Sequence, residues 1–236
     1  FNQMMEEQKN RSRESREVDG GFHKSDLIET NAPKTEFTGY NDLTDQGKIL
    51  EIYIDGEKVD EIKDGESGIL IVDKTPFYGE GGGQIGDVGV VSSINAKAKV
   101  VNTQKNANET YFHFIEVSQG VFETGDPVVL EVDEDIRRAV MKNHSATHLL
   151  NQVLKEVLGD HIDQAGSYVS DDRFRFDFTH FEAISDEDLD LIERKVNKLI
   201  AKNLKVTKTE MQLQEATKIG AIGLFEDKYT DIVRVV

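Results

Sequence analysis

The hydrophobic residues of this chain change their spacing at Asp133, and this change constrains the fold more than any other feature. Before Asp133, apolar and polar residues alternate over short runs such as 48–54, which is typical of half-buried β-strands. Glycine and aspartate separate these runs, as in the turn at Asp55-Gly56. After Asp133, apolar residues recur every three or four positions, which indicates amphipathic helices. The change therefore predicts an antiparallel β-unit followed by an α+β unit.

The second region predicts two helices with a strand between them. Asp133 is suited to cap the first helix, whose apolar positions recur at helical spacing up to Gly159, a residue suited to the C′ position. Residues 173–178 read RFRFDF and alternate strictly, which predicts a strand with three phenylalanines facing a core. Ser185 is placed to cap the second helix. Residues 206–211 predict a further strand, and a short helix follows it.

These patterns define a fold class and three domains. The short strands predict an antiparallel barrel or sandwich, and of the two we predict the barrel. The protein is then α+β, with a small antiparallel β-barrel followed by an α/β two-layer sandwich and preceded by a short helical lead-in. The predicted domains are a helical or irregular lead-in at 1–44, a β-barrel with a glycine-rich loop at 45–132, and an α+β core at 133–236.

Composition excludes several classes of protein. The formal net charge of −17 argues against a protein that coats nucleic acids, although one RNA end could still bind in a local pocket. No apolar run approaches the ~20 residues of a membrane helix, so we expect no membrane association. Cysteine is absent, which excludes disulfides and favours the cytoplasm. The chain does not start with methionine and finishes on a strand-like run, so we expect it to be an excised piece of a longer protein.

Residues 144–148 read HSATH and are the first candidate site. Histidines four positions apart lie on one face of a helix, so His144 and His148 could reach the same metal ion. Two imidazoles fill only half of a tetrahedral zinc shell. The alternative is a polar helix end beside a core.

Residues 79–87 read GEGGGQIGD and contain a literal G-x-G-x-x-G. A dinucleotide-binding loop opens a helix, whereas residues 88–91 read as a strand, so such a site is excluded. The remaining readings are a loop whose bare backbone lets a ligand approach closely, and a tight hairpin with unusual dihedral angles. Residues 164–167 (QAGS) could likewise place Gln164 against a substrate, or form a plain loop before a strand.

Four segments together resemble alanyl-tRNA synthetases in order and spacing. They are 77–87 (FYGEGGGQIGD), 144–150 (HSATHLL), 164–167 (QAGS) and 175–180 (RFDFTH). Residues 5–9 (MEEQK) resemble that family's approach to its editing domain, and residues 220–229 resemble the stretch before its second metal motif. The resemblance covers nearly the whole chain.

The resemblance implies a zinc site shared with sequence outside this chain. His144 and His148 would be two ligands, and a Cys-x-x-x-His motif after Val236 would supply the other two. With half of the ligands, this chain is expected to bind zinc weakly or not at all. ATP and Mg²⁺ would bind only in the family's aminoacylation domain, which would lie before Phe1.

The resemblance also implies roles for residues at the substrate. Thr147 would line the amino-acid pocket and sense a serine hydroxyl, and Gln164 would contact the substrate and support hydrolysis. The glycine-rich loop would border the cleft for the tRNA 3′ end, with the substrate-binding residues Gly81, Gly82, Gly83 and Gln84.

The implied activity is hydrolysis of Ser-tRNA(Ala) and Gly-tRNA(Ala), because a pocket for alanine rejects glycine and serine by only ~1–3 kcal/mol. The implied partners are the acceptor end of tRNA(Ala) and the other domains of a parent synthetase. Alternatives are a free-standing or threonyl-type deacylase and a tRNA-binding module without catalysis. A metalloprotease is disfavoured, since Ser145 stands where H-E-x-x-H requires glutamate.

Overall fold

A computed structural model describes residues 28–221 and 231–236, and these form two compact units. The first unit contains the described residues up to Gly81 together with Gly86–Glu134. The second contains Gly82–Ile85 and the described residues from Asp135 onward. The predicted helix of the lead-in falls on residues 1–27 and so lies outside the described residues.

A closed antiparallel barrel of six strands forms the first unit. Around the barrel the order is β11-β7-β8-β9-β5-β2, and β11 pairs with β2 to close it. These strands are β2 (Thr44–Ile54), β5 (Ser67–Val72), β7 (Gly89–Ser92), β8 (Lys97–Lys105), β9 (Tyr111–Gln119) and β11 (Pro127–Val132). The minor strands are β1 (Glu36–Phe37), β3 (Glu57–Val59), β4 (Glu61–Lys63), β6 (Lys74–Thr75) and β10 (Val121–Glu123). The barrel predicted from the sequence is confirmed.

Strand β2 closes the barrel because it pairs with two neighbouring strands. Its first half, from Thr44 to Lys48, pairs with β11, and its second half, from Ile49 to Tyr53, pairs with β5. The register shifts by one residue between Ile49 and Glu51. Such a bulge bends a strand and increases its twist, which lets a single strand turn the corner of a small barrel.

Alternation along each strand fills the barrel interior. In β11, Val128, Leu130 and Val132 are buried, whereas the residues between them are exposed. The same pattern on the other strands gives one apolar cluster that includes Ile52, Leu70, Val100, Ile115 and Phe122.

The second unit packs helices against a short antiparallel hairpin. Its elements are α1 (Glu134–Leu158), β12 (Gln164–Val169), β13 (Phe174–Phe178), α2 (Asp186–Ala201), β14 (Thr209–Gln212), α3 (Leu213–Lys218) and β15 (Ile232–Val235). The core joins Val153 and Leu154 of α1, Ile192 of α2, and Phe176 and Phe178 of β13. The chain is therefore of the mixed α+β class, as predicted.

Local chemistry explains where these helices begin and end. Gly159 follows α1 with φ +113° and donates its N–H to Lys155 O, so glycine supplies the left-handed residue that ends the helix. Ser185 caps α2 by accepting a hydrogen bond from the N–H of Asp188 at 3.1 Å. The strand predicted at 206–211 is instead β14, which starts at Thr209. In the described part of the chain, no helix combines the length and the apolar character needed to span a membrane.

Candidate functional site

The two histidines of the HSATH segment lie on one face of α1. Their ring centroids are 5.2 Å apart and their planes differ by 19°. His144 is half-buried and His148 is exposed. Burial, followed by the proximity of His148, lowers the pKa of His144 below its usual value, which favours the neutral imidazole. A neutral ring is the form that binds a metal ion or accepts a proton.

The glycine-rich segment pairs with β12 through a single parallel bridge. Gln84 forms a parallel bridge with Val169. The N–H of Val169 donates to Gly83 O at 2.7 Å, and the N–H of Ile85 donates to Val169 O at 3.1 Å. Gln84 is 7% exposed, and its Oε1 lies 2.6 Å from Nδ1 of His144. The segment thus brings a side chain to α1 from 60 residues away.

Gly83 is required by the close contact between this segment and β12. Its φ is +84°, and an added Cβ would lie 2.4 Å from Oγ and 2.5 Å from the carbonyl oxygen of Ser167. Its neighbour Gly82 has φ +62°, and its carbonyl oxygen accepts a hydrogen bond from Ser167 Oγ at 3.2 Å. Gly81 belongs to the first unit, where its carbonyl oxygen accepts from the hydroxyl of Tyr78.

Thr147 is buried on the same turn of α1 as the histidines. It is 7% exposed, and its hydroxyl donates to the carbonyl oxygen of Asn143 at 2.9 Å. The hydroxyl proton is therefore used within the helix, as is common for helical threonine. The oxygen keeps its lone pairs, so toward a ligand Thr147 can act only as an acceptor while this bond persists.

Asn143 ties this turn of α1 to the end of β12. Its Nδ2 donates to Ser170 O at 2.8 Å and to Asp171 O at 3.1 Å. The sequence reasoning did not single out this residue. A signal was present, because asparagine is unfavourable inside a helix unless its side chain has a partner elsewhere.

Gln164 lies at the opposite end of β12 from Val169. It is the first residue of the strand, is half-buried, and pairs with Phe178 across a register shift. It lies five positions along the strand from Val169, which is about 16 Å at ~3.3 Å per residue. Its side-chain amide has no hydrogen-bond partner among the described residues. The structure therefore brings Gln84 to His144, whereas Gln164 lies further along the strand with its polar group available.

The histidine pair is a candidate position for a metal ion among the described residues, because two imidazoles lie on one helix face there. With Nδ1 of His144 facing Gln84, Nε2 is the nitrogen left for an ion. No group of three or more His, Cys, Asp or Glu residues in 28–221 and 231–236 is placed to hold a metal ion. Two imidazoles are half of the four ligands that a tetrahedral zinc ion requires.

Comparison with known proteins gives consistent matches. The family model for class II tRNA synthetases (A) matches residues 1–136. The chain is 44% identical over 240 residues to an alanine–tRNA ligase of Clostridioides difficile strain 630 and 44% identical over 237 residues to one of Listeria welshimeri. It is 42% identical over 236 residues to one of Halorhodospira halophila. Each match covers 100% of this chain but 27% of the relative, so the chain spans about a quarter of the length of these relatives.

Proposed function

Because the chain belongs to the alanyl-tRNA synthetases, within the class II tRNA synthetase family, we propose that it is their editing region. In this proposal it hydrolyses Ser-tRNA(Ala) and Gly-tRNA(Ala), and the parent enzyme ligates alanine to tRNA(Ala) with ATP. The observation that carries the proposal is the group formed by Gln84, His144 and Thr147. The buried side-chain amide of Gln84 contacts the ring of His144. The buried hydroxyl of Thr147, whose oxygen can still accept a hydrogen bond, lies about one helical turn from His144.

The need for a second, hydrolytic site follows from the size of the substrates. A pocket that accepts alanine cannot exclude glycine, which is smaller, and rejects the added hydroxyl of serine only weakly. A site that binds the serine hydroxyl specifically can correct this error. Thr147 suits that task as an acceptor, since its own proton is donated to Asn143 O and a serine hydroxyl can donate to Oγ1.

The reaction is attack of water on the aminoacyl ester. The water oxygen bonds to the carbonyl carbon, the bond from that carbon to the ribose oxygen breaks, and the ribose oxygen takes a proton. The products are the free amino acid and uncharged tRNA. In this scheme Gln164 donates its amide N–H groups to the substrate, and this role accounts for a side chain without a partner among the described residues.

A zinc ion, when bound, would polarise the ester carbonyl or acidify the attacking water. His144 and His148 would hold it through imidazole nitrogens, together with ligands outside the described residues. The chain's own contribution is to keep His144 neutral, because burial lowers the pKa of this ring.

The proposed partner is the single-stranded acceptor end of tRNA(Ala), in the cytoplasm and with the other domains of the parent enzyme. The net charge of −17 argues against binding along a long stretch of phosphates and leaves recognition of one RNA end in a local pocket. The glycines at 81–83 would border this end, because a backbone without side chains lets a ligand approach closely.

Single-turnover hydrolysis by the full-length synthetase tests the proposal. Wild-type enzyme should hydrolyse Ser-tRNA(Ala) and Gly-tRNA(Ala) far faster than Ala-tRNA(Ala), and His144→Ala should abolish this activity. Ser145→Ala is the matched control, because Ser145 is on the same turn but exposed, with its hydroxyl bonded to Met141 O. Binding of the tRNA without hydrolysis by the wild type would refute the proposal in favour of a non-catalytic tRNA-binding module.

A further inference from the structure

We propose that Gln84 is a positioning residue that fixes the tautomer of His144, rather than a residue that binds substrate. The catalytic consequence rests on the proposed editing function, whereas the tautomer itself does not. The inference starts from one contact, in which Oε1 of Gln84 lies 2.6 Å from Nδ1 of His144.

With the amide oxygen of Gln84 facing the ring, the contact selects which ring nitrogen carries the proton. An amide oxygen only accepts hydrogen bonds, so the nitrogen that faces it must donate. A neutral imidazole has one N–H, and with that proton on Nδ1 the lone pair is on Nε2. His144 then presents Nε2 as an electron-pair donor, able to bind a metal ion or to accept a proton. With the other tautomer, Nε2 could do neither.

The position of Gln84 is fixed by its surroundings. The backbone on either side of it is hydrogen-bonded to Val169, and the side chain is 7% exposed. Gly83 allows the segment to approach Ser167 so closely that any side chain there would clash. These contacts hold the backbone of Gln84 in place before a ligand arrives, and outer residues fixed in this way orient the ligands of metal sites.

The same contact argues against a substrate-binding role for Gln84. Its amide oxygen is used by His144, so only the amide N–H groups remain for another partner, and the residue is 7% exposed. The glycine-rich segment then has two roles along its length. Its glycines allow close approach, and Gln84 orients a histidine of α1.

His148 provides an internal reference for the tautomer. It is exposed, and no hydrogen bond to its ring is found among the described residues. Nothing in the described structure fixes the proton on either of its nitrogens. We therefore expect His144 to be held in the Nδ1–H form, whereas His148 populates the mixture typical of a histidine in water.

Nuclear magnetic resonance of the ¹⁵N-labelled, metal-free chain tests this assignment. Long-range ¹H–¹⁵N correlations, recorded at a pH where the imidazoles are neutral, distinguish the two tautomers. Wild type should show Nδ1–H at His144, Gln84→Met should shift His144 toward the mixture seen for His148, and Gln84→Glu should retain Nδ1–H because a carboxylate still accepts. An Nε2–H signal at His144 in the wild type, or an unchanged tautomer in Gln84→Met, would overturn the proposal.

Amide exchange at Val169 shows whether each variant keeps its fold. If Gln84→Met leaves this amide protected, a tautomer change comes from the lost acceptor and not from a displaced segment. If the protection is lost, Gln84→Glu decides alone, because a positioning role requires it to behave as the wild type.

Hydrolysis by the full-length synthetase distinguishes positioning from substrate binding. A positioning role predicts that Gln84→Met lowers the maximal single-turnover rate on Ser-tRNA(Ala) by about 10- to 100-fold, the usual loss for a residue that orients a metal ligand. The half-saturating enzyme concentration should change little. A raised half-saturating concentration with an unchanged maximal rate would instead indicate substrate binding. Inactive wild-type enzyme would refute the editing function and leave the tautomer result standing.

Discussion

Replacing Thr147 by valine should change the substrate preference of the proposed site. Valine keeps the shape of threonine and removes the hydroxyl. In the structure that hydroxyl donates to Asn143 O, a carbonyl that also lies within the hydrogen-bonded ladder of α1. Its loss leaves no backbone group unpaired, so we expect a stability change of about 1 kcal/mol or less.

The effect on a serine substrate is larger. Thr147 is 7% exposed, so a serine hydroxyl beside it would be cut off from water and would depend on Oγ1 as its acceptor. A buried hydroxyl without a partner costs about 1–3 kcal/mol, which corresponds to roughly 5- to 150-fold in rate. Glycine has no such group, so hydrolysis of Gly-tRNA(Ala) should change by about twofold or less.

The assay is single-turnover deacylation of both tRNAs by the full-length enzyme. Thr147→Ser is the matched control, because serine retains the hydroxyl and can still accept. We expect Thr147→Val to slow hydrolysis of Ser-tRNA(Ala) selectively and Thr147→Ser to preserve the preference. An equal loss on the two substrates in Thr147→Val would show that the hydroxyl only supports the helix, and the reasoning would be wrong.

Three further predictions concern stability and metal content. Burial lowers the pKa of His113 to about 4, below its usual 6.5, so its stabilising contribution is present above pH 6.5 and is lost as the pH falls toward 4. In urea unfolding, the free energy of unfolding of the wild type should fall by about 3 kcal/mol more than that of His113→Gln over this pH range. Identical pH profiles for the two proteins would contradict this prediction. Gly83→Ala should disrupt the segment beside β12, seen as lost amide protection at Val169, whereas Gly56→Ala, at a turn with open space, should leave that amide protected. After dialysis, the 236-residue chain should hold substoichiometric zinc by atomic spectroscopy, and a full equivalent would contradict a half-filled site.

Much of the fold follows from local pattern. Alternation identified the barrel strands, because one face of each strand is buried and the other faces water. Ser185 and Gly159 mark helix ends through contacts that span only a few residues. The sequence pattern places the start of β14 three residues too early. Residues 206–208 are exposed, so the alternation of residue types there does not correspond to a buried face.

The arrangement of the candidate site depends on contacts that local pattern does not contain. The HSATH segment indicated a histidine pair on a helix, and the structure has that pair on α1. The bond from Gln84 to His144 joins residues 60 positions apart, and no periodicity encodes such a pairing. The sequence indicated close approach at the glycines but not that Ser167 is the neighbour of Gly83. The roles of Gln164 and of the zinc ion stay predictions.

The grouping of Gly82–Ile85 with the second unit limits how this protein can be divided. These four residues are encoded in the middle of the barrel sequence, yet they supply the backbone that bridges to Val169 and the side-chain amide that contacts His144. A gene fragment that starts at Glu134 would encode α1 and the β12–β13 hairpin without either contribution. A single recombination event at the boundary between the barrel sequence and α1 would therefore not transfer the whole second unit. Transfer of the intact histidine environment requires that the barrel sequence be inherited with it.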